Sequence, residues 1–348
     1  MFVCLSSGAS PRYRQDILRA LGMPHGASLQ FRYQSKWIAP SVFGKVKDGK
    51  IINSRALVAY VDQSIPGQAP ELIPCRFASI SEASIHGTTV SLVLNLGEIA
   101  LATNLQAFNT EMRTQSSGTL PSWQSGSLVG HYWFEVLPGP TTVTASENIS
   151  DWETVVSQLA THTEFSNEGG FYAVLGMSPL ESAQTVQFKK GRYELASGTE
   201  YELRIYHYSP GSSPLDTRLT LATSSPWLMF TTNPLLMLDS RYDLKRVRIK
   251  TGKPSSTEPA ILCVLRSEGA TQTPELQFDL PVAVRSNFGW TLLYGAVLGV
   301  LLAGPQIIAA FSNPTLPRMN AYFISLMSGV LGLFAGIFAA FGLKKSPE

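Results

Sequence analysis

Cysteine is scarce in this chain. Cys4, Cys75 and Cys263 are the only three in 348 residues. They are odd in number, far apart and at no zinc or redox spacing, which argues against a disulfide-stapled scaffold and for reduced thiols in a cytoplasm. Histidine is almost as rare. None of His25, His86, His131, His162 and His207 stands at ligand spacing from another His or Cys. The phosphate-binding, dinucleotide, zinc-protease and nucleophile-elbow motifs are all missing. No catalytic residue, metal ligand or cofactor is therefore assigned, and the chain is not expected to be an enzyme. Net charge is small as well, at +2, so a nucleic-acid partner is not indicated. The first residues lack a basic region, and their apolar run is too short for a secretory signal.

Charge itself is missing from two long stretches, 288–311 and 321–343. Each exceeds the roughly 20 helical residues that cross a bilayer core of about 30 Å. Trp290, Tyr294 and Tyr322 stand near their starts, and Pro314 and Pro317 break the connection. The expectation is a transmembrane hairpin. Arg285, Lys344 and Lys345 flank it, against Arg318 alone between the spans. That bias predicts an inner-membrane protein with both termini in the cytoplasm. Gly295 and Gly299 form a G-x-x-x-G, and Ser328, Gly332, Gly336 and Ala340 recur every four residues. Small residues at this spacing let helices pack closely, within the hairpin or between protomers of a homo-oligomer.

What precedes the spans reads mainly as β. Ser10 and Pro11 open an amphipathic helix with Tyr13, Ile17, Leu18 and Leu21 on one face. Strands are expected over 28–38, 54–61, 71–80, 88–96 and 131–137, with the polar segment 104–126 as a long loop or weak element. Ser150 and Glu153 suggest a capping box opening a second helix, and a buried strand follows over 170–177. Residues 1–180 are thus expected to form an α+β domain with a small barrel or curled sheet. Seven short strands over 183–285 suggest an immunoglobulin-like β-sandwich, by architecture alone.

Three features could bind. Arg241, Lys245, Arg246, Arg248 and Lys250 make a basic stretch. On a strand Arg246, Arg248 and Lys250 share one face, suited to an anionic ligand or lipid headgroup. Lys189, Lys190 and Arg192 make a smaller basic turn. Phe31, Arg32, Tyr33 and Trp37 could stack on a base or a peptide, although core packing also accounts for such rings. The leading expectation is a membrane-anchored cytosolic binding or sensing module for an unknown ligand or partner. The alternatives are a ligand-triggered, pore-type effector of a bacterial stress or phage-defence system, and a membrane-bound enzyme with an unrecognised site.

Overall fold

The computed structural model describes residues 1–8, 10–63, 69–124, 126–166, 170–182, 184–189, 191–210, 217–238, 240–253, 260–268, 276–285 and 327. Strands dominate. In chain order the N-terminal elements are β1 (Phe2–Ser7), α1 (Pro11–Gly22), β2 (Ser28–Gln34), α2 (Pro40–Lys47), β3 (Arg55–Asp62), β4 (Glu71–His86), β5 (Thr89–Ala102), α3 (Leu105–Gln115), β6 (Ser122–Gln124), β7 (Ser127–Val129), β8 (Trp133–Glu135), β9 (Val143–Ser146), α4 (Ile149–Ala160) and α5 (Thr163–Ser166).

Seven of these strands form one sheet in the order β2-β5-β4-β3-β1-β8, with β9 also on β5. β1 runs parallel to β3, pairing Phe2 with Ala56 through Ser7 with Val61. All six β1 residues are buried. A strand covered on both faces reads as a continuous apolar run rather than an alternation. For that reason the sequence shows α1 as the first element, whereas the structure sets a strand between β3 and β8 ahead of it. β2 alternates as expected, burying Leu29, Phe31 and Tyr33.

The sheet curls. Register shifts in β4, between Arg76 and Ala78 and between Ile80 and Glu82, mark irregularities of the kind that bend strands. The two ends of the strand order then meet. Tyr132 N–H donates to the Trp37 carbonyl at 2.7 Å, and Ala39 N–H to the Trp133 carbonyl at 2.8 Å. The chain just past β2 is thereby stitched to β8. The Tyr33 and Trp133 rings meet with centroids 5.9 Å apart, and Leu57, Tyr60 and Phe134 are fully buried on one or other face of the sheet. Burying each such side chain is worth roughly 1.5–3 kcal/mol.

The segment 104–126 is not all loop. Asn104 caps α3, its side chain accepting from Ala107 N–H at 2.9 Å, and Phe108 and Met112 are fully buried. α4 begins after Asn148, not at a Ser150 cap. It docks through the Trp152 indole, which donates to the Leu21 carbonyl at 3.1 Å.

The remaining strands are β10 (Phe171–Pro179), β11 (Phe188–Lys189), β12 (Arg192–Ala196), β13 (Glu200–Tyr208), β14 (Thr217–Thr223), β15 (Leu228–Phe230), β16 (Leu235–Leu238), β17 (Tyr242–Thr251), β18 (Ala260–Glu268) and β19 (Leu276–Arg285). They make a four-stranded sheet, β10-β13-β17-β15, and a six-stranded one, β11-β12-β19-β18-β14-β16. β10 pairs antiparallel with β13 across a bulge at Leu175, where Gly176 takes a φ of 131°. The strand over 171–179 thus joins its sheet to partners beyond residue 183.

The chain divides into two compact units. One comprises 1–194, 200–250 and 259–283; the other comprises 195–199, 251–258 and 284–348. Within the second, the Thr251 hydroxyl donates to the Ala196 carbonyl at 2.6 Å, and Ser197 N–H donates to the Arg285 carbonyl at 3.0 Å.

The transmembrane hairpin is corrected. Among the described residues no helix is long and apolar enough to cross a membrane. The two longest, α1 and α4, have 12 residues each and carry polar faces. At about 1.5 Å per residue each spans about 18 Å, short of the roughly 30 Å a bilayer core requires. The membrane architecture and the inner-membrane placement rested on such helices; the described residues are instead mainly β. The stretches 288–311 and 321–343, with Gly295, Gly299, Ser328, Gly332, Gly336 and Ala340, lie outside the described residues. A long uncharged run reports apolar surroundings of any kind, and a bilayer is only one of them.

Candidate functional site

The curl leaves a cleft of about 440 Å³ at the C-terminal end of β1, where the chain passes into α1. Its floor is Leu5, Ser6 and Ser7 of β1. Arg12, Tyr13 and Asp16 of α1 form one wall, and Phe31, Arg32 and Tyr33 of β2 the other. Trp37, Thr89, Leu128 and Tyr132 complete it.

Each wall is fixed from below. The Tyr33 hydroxyl donates to the Leu5 carbonyl at 3.0 Å, holding β2 over β1 although three strands separate them in the sheet order. Phe31 and Tyr33 stack with centroids 6.1 Å apart and planes 11° from parallel. Trp37 meets Tyr132 edge to face at 5.6 Å. The Tyr132 hydroxyl is held by the Gln63 side chain at 2.7 Å. The Ser6 hydroxyl donates to the Tyr13 carbonyl at 2.8 Å, fixing the first turn of α1.

Asp16 is the unusual member. It is only 7% exposed, and its nearest cation is Arg19 at 3.6 Å. Burial pushes its carboxyl up to about 6, against the opposing fields of Arg19 and Arg12. Burial likewise raises the Tyr33 and Tyr132 hydroxyls, so both stay neutral donors and acceptors. Arg12 and Arg32 are exposed beside the cleft. The site thus combines aromatic walls, one buried carboxylate and two guanidinium groups at its rim.

Below the neighbouring end of β3 lies a separate polar cluster. His162 Nδ1 is 2.8 Å from Asp62 Oδ2, and the ring meets Tyr60 edge-on at 5.5 Å. The Tyr60 hydroxyl donates to Glu164 at 3.0 Å. A Cβ on Gly8 would stand 2.1 Å from the Glu164 side chain, so only glycine fits where β1 ends. At the surface, donor atoms of His25, Glu98 and Glu147 lie within 4.8 Å of one another. Such a set can hold a metal ion, but exposed acids also cluster without one.

The basic stretch adopts the expected alternation. Arg246, Arg248 and Lys250 face outward on β17, while Val247 and Ile249 are buried. Lys245 falls on the other side of the strand, 2.5 Å from Asp243, and Arg241 precedes the strand. The register sets Glu202 opposite Arg248 and Glu200 opposite Lys250, and Arg246 lies 3.8 Å from Glu202. Carboxylates of β13 therefore interleave with the three cations, a cross-strand fact invisible along the sequence. In the smaller turn Arg192 lies 3.3 Å from Glu194.

Of the residues singled out beforehand, Phe31, Arg32, Tyr33 and Trp37 come together in the cleft. Asp16 was missed. The available signal was an acid three residues after Tyr13, on the apolar face of α1. No protein-family profile matches this chain, and no curated protein shows significant similarity to it.

Proposed function

We propose that this protein is a binding or sensing module that holds a small molecule in the cleft between β1, α1 and β2. What carries the reading is Asp16, a buried carboxylate lining an aromatic-walled cavity, whose ion pair among the described residues, Arg19 at 3.6 Å, is too long for a hydrogen bond. A buried charge of this kind costs stability unless a ligand completes it. The volume lies in the range of small-molecule sites, and rings with a few placed polar groups are the usual lining. Cys4 and Cys75 favour binding over thiol chemistry, since burial pushes both thiols up, away from the reactive thiolate.

The test is a thermal-shift screen of common metabolites on the full chain, followed by calorimetry. Tyr13 is 44% exposed and Arg32 is exposed, so Tyr13→Ala and Arg32→Ala should fold. A true cleft ligand is expected to lose at least tenfold in affinity in one or both variants. If every ligand that stabilises the wild type binds both variants equally, the cleft is not the site.

A further inference from the structure

Resting on that reading of the cleft, we infer that its ligand is a free guanine-type mononucleotide: a planar base presenting two adjacent N–H donors and carrying a phosphate. Three independent features of the walls lead there.

The first is flatness. Phe31, Tyr33, Trp37 and Tyr132 all border the cavity, and rings of this kind give a planar heterocycle faces and edges to pack on. The second is the hydrogen-bonding grammar of Asp16. An ionised carboxylate offers two acceptor oxygens and no donor. A guanine edge presents N1–H and the exocyclic amine side by side, and so satisfies both oxygens at once. Adenine and cytosine place an acceptor ring nitrogen beside their amine, which would face an oxygen lone pair. Asp16 titrates near 6, so it is largely ionised at neutral pH. The third is the rim. Arg12 and Arg32 stand at the cleft and supply the planar donors suited to phosphate.

A plain organic cation would use the rings and Asp16 but would meet repulsion from the two arginines. A plain dianion would use the arginines but would meet Asp16. A nucleotide with a donor edge uses all three. The cavity of about 440 Å³ accommodates one nucleotide rather than a strand, and the net charge of +2 gives little attraction to a polyanion.

The experiment is calorimetry on the full chain at pH 7.5 with GMP, IMP, AMP, guanosine and a short single-stranded oligoribonucleotide. GMP is expected to bind. IMP, which lacks the exocyclic amine, is expected to bind at least tenfold more weakly, because one charge-assisted hydrogen bond is lost. Asp16→Asn is close to isosteric, and its fold is checked by its melting curve. It should weaken GMP at least tenfold and abolish the difference between GMP and IMP. Arg32→Ala should weaken GMP but leave guanosine unchanged. Equal binding of GMP, IMP and AMP, or GMP binding untouched by Asp16→Asn, overturns the guanine assignment. Tighter binding of the oligoribonucleotide than of GMP overturns the free-nucleotide assignment. If no nucleotide binds while another small molecule does, with loss in Tyr13→Ala, this inference fails and the cleft reading stands. If no ligand is sensitive to the cleft variants, both fail.

Discussion

The side-chain amide of Asn109 occupies the place of a missing strand beside Leu72. It accepts from the Leu72 N–H at 2.7 Å and donates to the Leu72 carbonyl at 3.0 Å. β4 pairs with β3 at this point, but β5 joins its other edge only from Arg76 onward. Asn109 therefore supplies both bonds that a neighbouring backbone would. Asn109→Ala is expected to destabilise the fold by about 2–4 kcal/mol, since two buried backbone groups lose their partners. Asn109→Asp, which has no donor at neutral pH, should not rescue it. Urea unfolding with an unchanged slope measures the loss, and a cost below about 0.5 kcal/mol would refute the strand-substitute role.

Asp16 predicts a pH signature of the opposite sign to most carboxylates. Its folded pKa, about 6, lies above its ordinary value of 3.8. The folded state therefore holds more protons between those values, and stability falls as pH rises from about 4 to about 6. At about 1.4 kcal/mol per pH unit the penalty at neutral pH is about 3 kcal/mol as an upper figure. Asp16→Asn should stabilise the free protein at pH 7 by about 1–3 kcal/mol, and the gain should vanish near pH 4. Unfolding curves of both proteins across that range decide it. A gain independent of pH would place its origin elsewhere.

Arg76 is 6% exposed, and backbone carbonyls rather than a carboxylate hold it among the described residues. It donates to the carbonyls of Gly97 at 2.7 Å, Ala20 at 3.0 Å and Met23 at 2.7 Å. Two of these belong to the end of α1, where carbonyls lack helical partners. Burial lowers the guanidinium pKa to about 10, still charged at neutral pH. Arg76→Met is expected to cost about 3 kcal/mol or more by orphaning three carbonyls. Arg76→Lys should recover less than half, because one ammonium cannot span the fork. Full recovery by lysine would show that charge alone matters.

Glu111 ties α3 to the turn before β9. Thr141 and Thr142 each donate a backbone N–H and a hydroxyl to it, at 2.6–3.2 Å. Burial pushes its pKa up, but these bonds outweigh burial and hold it below 4.5. A depressed folded pKa gives stability that is present above the unfolded value and lost as pH falls through the folded one. Glu111→Gln should therefore be less stable than wild type at pH 7, with the gap closing below about pH 4. Paired denaturation at pH 7 and pH 3.5 tests this, and a constant gap would contradict it.

These residues also explain what could be read in advance. β2 was legible because Leu29, Phe31 and Tyr33 alternate with exposed polar residues, and that pattern also flagged the ring-bearing wall of the cleft. β1 was not, because burial on both faces erases alternation. α3 was hidden because its inward face includes Asn109 and Glu111, polar residues whose partners lie in β4 and beyond α3. Ser6, Ser7 and Tyr132 reach the cleft only through the curl, a long-range event that local spacing does not encode. The uncharged stretches past residue 287 gave the strongest local signal, yet no helix among the described residues is long and apolar enough to cross a membrane.

The seam between the end of β2 and β8 also governs the order of assembly. β4 and β5 adjoin in sequence and can pair early. β1 must wait, because its two neighbours, β3 and β8, come much later in the chain. At synthesis rates of about 5–20 residues per second, the β1 segment stays without a full set of partners for roughly ten seconds or more. Refolding in vitro should be correspondingly slow for the chain's size, as nonlocal pairing demands. During that interval Phe2, Val3, Cys4 and Leu5 lack the later strands that bury them in the finished sheet.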